Sequence, residues 1–341
     1  MRLILISADD PLQAKQLAMA ASRRHGGALA LDLSGESLLP GPHAFNALAA
    51  LEQRWPPLLQ QLGPWLELLQ LGNLEAHQLP LLPGLDEVLR TLFLLDHLQA
   101  APGPALVLLL PPPAHAQRFL LGLVGAPELL NQLYEPLVGR LGQLKESLSH
   151  LDALLNLRLP DSSGLRLPEL IRQQLEQLSE LLLDSDQCEL LLALGANQGE
   201  GQLLSQRICG FYLCGVQLSR LWLNGPIEPG ALQQLQQQWQ PAQLLHTPQV
   251  AGLSGAGEAW LNLPWVGEAN LICHSDPDGT VVFSVLLPGI SKEQLQVQRV
   301  GSALQLRVGS LRRSYPLPEA CLRLSPSGAR VAGRRLEVRF R

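Results

Sequence analysis

Short apolar runs that alternate with helical segments constrain the fold of this chain more than any other sequence feature. The runs are residues 3–6, 28–33, 105–110, 189–194, 217–224 and 242–246. Predominantly apolar runs of this length are typical of strands that are buried on both faces of a parallel sheet. The alternation therefore predicts an α/β fold, with one parallel sheet covered by helices on both faces.

The loop after the first run lies where a phosphate-binding loop would lie in a nucleotide-binding fold. Such a loop needs glycines for a backbone cradle, a lysine for the phosphates and a hydroxyl for Mg²⁺. Here Lys15 is present, glycine is absent, and Gln16 stands in place of the hydroxyl. Asp9 and Asp10 bring negative charge, and Pro11 removes a backbone donor. The segment indicates a nucleotide-binding fold that has lost its nucleotide chemistry; the alternative is a βα turn that never bound phosphate.

A second candidate site residue is Asp32, at the end of the second apolar run. The end of a parallel strand points to the carboxyl edge of the sheet, where ligands bind in such folds. An aspartate that caps a helix or closes a turn is the equally plausible alternative.

Helical segments follow between the strands. Residues 44–71 are leucine-rich and helical, with expected breaks at Pro56, Pro57 and Pro64, and residues 66–70 are a further candidate strand. A helix is predicted from residue 83 to His97, since proline and glycine open it and acidic residues favour its first turn.

The strongest periodicity of the chain lies in residues 130–155, with apolar residues at alternating spacings of four and three. A second amphipathic helix is predicted over residues 167–182, so that residues of about 128–184 would form a helical hairpin insertion. The seam either packs on its own domain or forms a surface for a client, a partner helix or a second subunit. The residues assigned to that surface are Leu137, Leu141, Leu144, Leu148 and Leu151.

The pattern changes near Gly252, where short segments with period-two alternation take over. They are residues 270–273, 280–287, 295–300, 303–308 and 335–340. This alternation predicts a separate antiparallel β-sandwich. We therefore divide the chain into an α/β domain (1–255), a linker (256–267) and a sandwich (268–341).

Charge and cysteine content exclude several function classes. The net charge of −5 argues against general nucleic-acid binding. The five cysteines form no CxxC motif or zinc-ligand cluster, so we expect no metal. No signal pattern or bilayer-spanning run is present, so we expect a cytoplasmic protein that is not an integral membrane protein.

The C-terminal region resembles the α-crystallin domain of small heat-shock proteins. The resemblance rests on the run Leu-Pro-Gly-Ile-Ser-Lys-Glu at 287–293, on the alternation that follows it, and on the closing strand at 333–338. It covers residues of about 268–341.

The first 255 residues resemble the ArsA-type ATPases, which include the arsenite-pump ATPase and the ATPase that guides tail-anchored membrane proteins. The motifs in order are residues 31–34 for the family's DPA switch, 83–87 for its PG-DE helix, 110–115 for its DTAPTGH motif, 224–229 for its NRVLP base-binding strand and 248–252 for its P..REV.G stretch. A fused α-crystallin module also occurs in photosynthetic lineages of this family.

The departures from the family pattern decide what the resemblance implies. The family's GKGGVGKTT corresponds to residues 8–16, where only Lys15 remains, and Leu110 replaces the switch aspartate. Asp32 is left as a vestigial catalytic carboxylate, and Lys15 and Asn224 as a vestigial nucleotide site. No cofactor is therefore expected, with ATP and Mg²⁺ as the alternative.

These observations predict a pseudo-ATPase that acts as a chaperone- or targeting-like factor for apolar client segments. The resemblance further implies a homodimer. Two alternatives stay open: a weak, divergent ATPase, and a regulatory subunit of an active paralogue.

Overall fold

The structure is a computed structural model. It describes residues 1–39, 41–68, 84–100, 103–134, 136, 139, 140, 143, 168–196, 201–240, 242–248, 253 and 255–341.

A six-stranded parallel sheet forms the centre of the first part of the chain. The strands are β1 (Arg2–Ala8), β2 (Leu29–Asp32), β3 (Ala105–Leu109), β4 (Cys188–Gly195), β5 (Leu218–Asn224) and β6 (Gln243–Thr247). Their order in the sheet is β2-β3-β1-β4-β5-β6. Each begins within a few residues of a predicted apolar run, and the α/β prediction is confirmed.

Helices cover both faces of this sheet. They are α1 (Pro11–Arg24), α2 (Ala47–Leu68), α3 (Leu85–Ala100), α4 (Pro113–Leu129), α5 (Glu169–Leu183), α6 (Gly201–Leu213), α7 (Pro229–Gln238) and α8 (Gly255–Leu261). Along β1, Leu3 and Leu5 belong to one core, whereas Ile4 and Ile6 belong to the other, with α1 and α8. This alternation of side chains explains why β1 needs apolar residues at every position.

The strand predicted at residues 66–70 is wrong where the structure describes it, because residues 66–68 are the last turn of α2. Pro56, Pro57 and Pro64 also lie inside this continuous helix and do not break it. The leucines and glutamines around them have high helix propensity, which offsets the hydrogen bonds that the prolines remove.

Only the two ends of the predicted helical hairpin lie among the described residues. After α4 the chain forms one π-helical turn, Leu130–Tyr134, and α5 matches the second predicted helix. Leu137, Leu141, Leu144, Leu148 and Leu151 lie outside the described residues, so their assignment to a client surface stays a prediction.

The C-terminal residues form two antiparallel sheets. The strands are β7 (Leu271–Ser275), β8 (Val281–Leu286), β9 (Leu295–Val300), β10 (Ala303–Val308), β11 (Leu311–Pro316), β12 (Pro326–Ala332) and β13 (Arg335–Phe340), and a short helix, α9 (Glu319–Leu322), precedes β12. One sheet has the order β12-β13-β8-β7 and the other β11-β10-β9. The predicted sandwich is confirmed. Sequence reasoning did not identify β11 and β12, because neither alternates apolar with polar residues.

The sandwich packs directly on the α/β part, and one core cluster runs through both. The carbonyl of Leu213, the last residue of α6, accepts hydrogen bonds from the Tyr315 hydroxyl at 3.0 Å and from Arg313 Nη1 at 2.9 Å. Within the segment expected to be a linker, α8 buries Trp260 and Leu261 in the α/β core. The junction between the two parts is therefore a packed interface.

Candidate functional site

The loop after β1 lies at the carboxyl edge of the sheet, and its first role is to start α1. Asp10 is the N-cap residue, and its side chain accepts a hydrogen bond from Leu12 N at 3.0 Å. Pro11 occupies the first helical position, where its missing N–H costs nothing. The aspartate therefore occupies the helix N-terminus, the place where a phosphate-binding loop would present free N–H groups to an anion.

Asp9 is bound on two sides by the neighbouring strand and helix. One carboxylate oxygen accepts a hydrogen bond from Gly195 N, at the end of β4, at 2.9 Å. The other forms an ion pair with Arg207 of α6. Arg207 is the only charged residue of α6, and sequence reasoning missed it. A lone arginine in an apolar helix was the signal that could have identified it.

The two residues that follow in the first turns of α1 differ in their contacts. Lys15 is half-buried and forms no ion pair with any described residue. Gln16 accepts a hydrogen bond through Oε1 from Leu253 N at 3.0 Å. The residue in place of the family's hydroxyl therefore holds a distant segment of the chain against α1.

Asp32 is fully buried, and its carboxylate is occupied by its own loop. One oxygen accepts from Ser34 N at 2.9 Å and Ser34 Oγ at 2.6 Å, and the other accepts from Leu39 N at 2.9 Å. Of the two interpretations of Asp32, the structure favours the turn aspartate.

Asn224 ends β5 and is also buried, with 3% of its surface exposed. Its Oδ1 accepts a hydrogen bond from the Thr247 hydroxyl, and its carbonyl accepts from Ala196 N at 2.6 Å. Among the described residues, its Nδ2 has no hydrogen-bond partner. The next residue must be glycine, because Gly225 has a φ of +110° and a Cβ there would lie 2.3 Å from the Ala196 carbonyl oxygen.

The sheet order keeps these predicted site residues apart. Asp32 and Asn224 lie on strands on opposite sides of β1, four strand spacings from one another. At about 4.8 Å per spacing, the two strands are about 19 Å apart. The loop after β1 lies between them with two carboxylates. This arrangement does not fit nucleotide phosphates, because negative charge and an occupied helix N-terminus replace the cradle. Within the described part of the chain, no cluster of His, Cys, Asp and Glu could hold a metal.

A second candidate site is an apolar groove between α3, α4 and α5, with a volume of about 340 Å³. Its lining residues are Glu87, Val88, Thr91, Leu92, Leu95, Arg118, Phe119, Gly122, Leu123, Ala126, Leu129, Leu130, Ile171 and Leu175. Val88 and Leu129 are more than half exposed at its rim. Beneath it, the Arg90 guanidinium lies 5.0 Å from the centre of the Phe45 ring and 5.5 Å from that of Phe119. Because three separate helices form the groove, no local pattern predicted it.

Two comparisons with known proteins bear on these sites. Residues 278–340 match a family described as the HSP20-like domain found in ArsA. This match confirms the predicted small-heat-shock-like module and connects it with ArsA proteins. The chain is also similar to the uncharacterized protein SCO2128 of Streptomyces coelicolor, with 26% identity over 319 residues, which cover 86% of this chain and 78% of that protein.

Among the described helices, none combines the length and the apolar character that a membrane-spanning helix requires.

Proposed function

We propose that this chain is an ArsA-type pseudo-ATPase that binds apolar helical segments of client proteins, as a chaperone- or targeting-like factor. The proposal rests on the open groove between α3, α4 and α5. Apolar side chains at its rim stay exposed although a continuous core lies directly beneath them. Exposed apolar surface of this kind marks a site of protein interaction.

The shape of the groove favours a helix as the bound segment. Its walls are helices, so an apolar helical face with anchors spaced by three and four residues can lie between them. Glu87 and Arg118 lie at the groove with opposite charges. They are suited to contact the polar flanks of such a helix.

The pseudo-ATPase part of the proposal rests on Asp9 and Asp10. Phosphoryl transfer depends on positive charge and N–H donors around the phosphates. In this chain Asp9 already accepts a hydrogen bond from Gly195 N and forms an ion pair with Arg207, and Asp10 accepts a hydrogen bond from Leu12 N. A nucleotide would have to displace both carboxylates.

Two glycines of α4 allow a matched test of the groove. Gly122 lines the groove, whereas Gly125 lines a separate cavity, and a Cβ at either position meets no atom within 4 Å. Binding is measured by fluorescence anisotropy with a dye-labelled helical peptide of about 20 leucine and alanine residues, the length of a membrane-spanning segment. We expect Gly122→Phe to weaken binding at least about tenfold, since its ring fills the groove. Gly125→Phe should bind like the unchanged chain; equal losses in both variants would contradict the proposal.

A separate measurement tests the nucleotide site. We expect no binding of ATP or ADP, with Mg²⁺, up to millimolar concentration by isothermal titration calorimetry. Micromolar binding that Lys15→Ala abolishes would instead support the weak ATPase. The groove proposal does not depend on this result.

The proposal includes a homodimer, which the ArsA resemblance implies. Sedimentation equilibrium of the purified chain should give twice the mass of 37.1 kDa. A monomer mass at all concentrations would contradict it.

A further inference from the structure

Two cysteines of the C-terminal sandwich belong to elements that contact the same strand, although they are 48 positions apart in the sequence. Cys273 of β7 is directly opposite Phe283 of β8 in the antiparallel register. Residues that lie directly opposite each other share one face of a sheet. The helix α9, which contains Cys321, packs against β8. The register therefore turns the Cys273 side chain toward the part of the core that contains Cys321.

In this arrangement Cys273 and Cys321 are neighbours. They differ in accessibility, because Cys273 lies exposed on an edge strand and Cys321 is fully buried. Burial, together with the neighbouring Cys273, raises the pKa of the Cys321 thiol to about 11, although Arg299 opposes this shift. Cys273 is therefore the thiol that an external oxidant meets first, and Cys321 is shielded behind it.

We propose that Cys273 and Cys321 form a reversible dithiol–disulfide site, in which Cys273 reacts with a low-molecular-weight disulfide and Cys321 resolves the adduct. This site is independent of the groove and of the loop after β1. The other three cysteines, Cys188, Cys209 and Cys214, are buried in the α/β part and belong to no such exposed pair.

With glutathione disulfide as the oxidant, the reaction has two steps. The Cys273 thiolate attacks one sulfur, a new S–S bond forms as the glutathione S–S bond breaks, and one glutathione leaves as a thiolate that takes up a proton. The Cys321 sulfur then attacks the Cys273 sulfur, and the second glutathione leaves in the same way. The two cysteines lose two electrons and two protons, which the two glutathione molecules gain.

The location of this pair gives the disulfide a structural effect. β7 is the edge strand of its sheet and pairs only with β8, and all five of its residues are exposed. α9 lies in the connection between β11 and β12, which belong to different sheets. A disulfide between β7 and α9 would cross-link this exposed edge strand to the connection between the two sheets. In a reducing compartment, a disulfide so close to solvent would form transiently, in response to oxidation.

The experiment treats the full-length chain with glutathione disulfide under native conditions. Free thiols are then blocked with N-ethylmaleimide in denaturant, and peptides are identified by mass spectrometry without reduction. We expect a peptide cross-linked between Cys273 and Cys321, with Cys188, Cys209 and Cys214 blocked by maleimide. The oxidised chain should also unfold at a higher urea concentration than the reduced chain, because the cross-link restricts the unfolded state.

Two variants separate the roles of the two thiols. Cys321→Ser should accumulate glutathione on Cys273, because no resolving thiol remains. Cys273→Ser, a change at an exposed position, should leave Cys321 unmodified. A stable glutathione adduct on Cys273 in the unchanged chain, with Cys321 still a free thiol, would overturn the proposal, as would oxidation of Cys321 in Cys273→Ser.

Discussion

Asp9, Gln16 and Asp32, at the carboxyl edge of the sheet, each accept hydrogen bonds from other parts of the chain. Asp9 accepts a hydrogen bond from Gly195 N and pairs with Arg207. Gln16 accepts a hydrogen bond from Leu253 N, and Asp32 accepts hydrogen bonds from its own loop. These contacts give the residues a structural reason to be present without a ligand. Polar groups that are satisfied in this way stabilise the local backbone, because leaving their donors unpaired in a buried site is costly.

Asp32→Ala is predicted to destabilise the protein by about 3 kcal/mol, since a buried donor without a partner costs about 1–3 kcal/mol. The donors in question are Ser34 N, Ser34 Oγ and Leu39 N. Urea unfolding at equilibrium measures the free energy of unfolding. Asp186→Ala, at an exposed turn, serves as the control and should change it by less than about 0.5 kcal/mol. Equal effects of the two changes would contradict the role assigned to Asp32.

His25 is predicted to make stability depend on pH. Burial lowers the pKa of His25 below its usual range, and Arg24, Arg2 and Arg220 act in the same direction, although Glu189 opposes them. The unfolded state therefore takes up the proton at a higher pH than the folded state. The free energy of unfolding should decrease as the pH falls through about 6.5, the usual value for histidine, and stop decreasing below the folded-state pKa.

Urea unfolding between about pH 5 and pH 8 measures this dependence. We expect His25→Gln to flatten the curve, because a neutral side chain takes up no proton. A slope that survives His25→Gln would assign the effect to other groups.

At the scale of elements, helices and strands that are distant in the sequence supply hydrogen-bond and ion-pair partners that a single helix or strand lacks. The last carbonyls of a helix have no partner inside the helix. For α6, β11 of the sandwich supplies the donors, from Arg313 and Tyr315. Near the starts of their strands, Arg220 of β5 and Glu189 of β4 form a fully buried ion pair at 2.7 Å. Neighbouring elements thus satisfy groups that their own sequence segments cannot.

Tyr315→Phe is predicted to lower the free energy of unfolding by about 1 kcal/mol, because it removes one hydrogen bond to Leu213 and keeps the ring. Urea unfolding gives the value, and hydrogen exchange should show earlier opening at the end of α6. Ser314→Ala, at the adjacent position of β11, is the control. If Tyr315→Phe behaves like Ser314→Ala, the hydroxyl does not stabilise the helix end.

At the scale of the whole molecule, the α/β part and the sandwich share one core. Leu204 and Ile208 of α6 belong to the same cluster as Leu306 of β10 and Tyr315 of β11. The two parts differ in charge, since residues 268–341 have 11 basic and 6 acidic side chains, and residues 1–267 have 14 basic and 24 acidic ones. A shared core and opposite net charges both favour close association of the two parts.

We predict that both parts unfold in one transition. All six tryptophans lie at or before Trp265, so tryptophan fluorescence reports on the α/β part and the adjoining segment. Alkylation of the buried Cys321 thiol reports on the sandwich. The two midpoints in urea should coincide. Separate midpoints would show that the sandwich unfolds independently.

Gly215→Ala is predicted to destabilise this interface. Gly215 has a φ of +83°, and a Cβ there would lie 2.4 Å from Leu183 Cδ2 and 2.5 Å from Arg313 Nη1. Gly279→Ala is a matched control, because Gly279 has a φ of +81° and a Cβ there meets nothing within 4 Å. We expect Gly279→Ala to lower the free energy of unfolding by about 1 kcal/mol, the cost of placing alanine in the left-handed backbone region. Gly215→Ala should lower it by clearly more. Equal losses in urea unfolding would argue against close packing at Gly215.

The amino-acid sequence by itself predicted the two kinds of architecture and the positions of most strands. Uninterrupted apolar runs such as residues 105–110 mark strands buried on both faces, and period-two alternation such as residues 303–308 marks the sandwich. These signals are local, since they depend on the spacing of side chains along a few residues. The strands β11 and β12 were not predicted, because their apolar residues are irregularly spaced. The strand predicted at the end of α2 was wrong, because a short apolar run can also end a helix.

Only the tertiary structure determined which residues contact each other at the carboxyl edge of the sheet and which helices form the apolar groove. Asp9 meets Arg207 across 198 positions of sequence, and the apolar groove forms where α3, α4 and α5 meet. The physical reason is that charge pairing and burial depend on which elements become neighbours in space. Strand order and helix packing determine which elements become neighbours, and neither can be predicted from a short stretch of sequence.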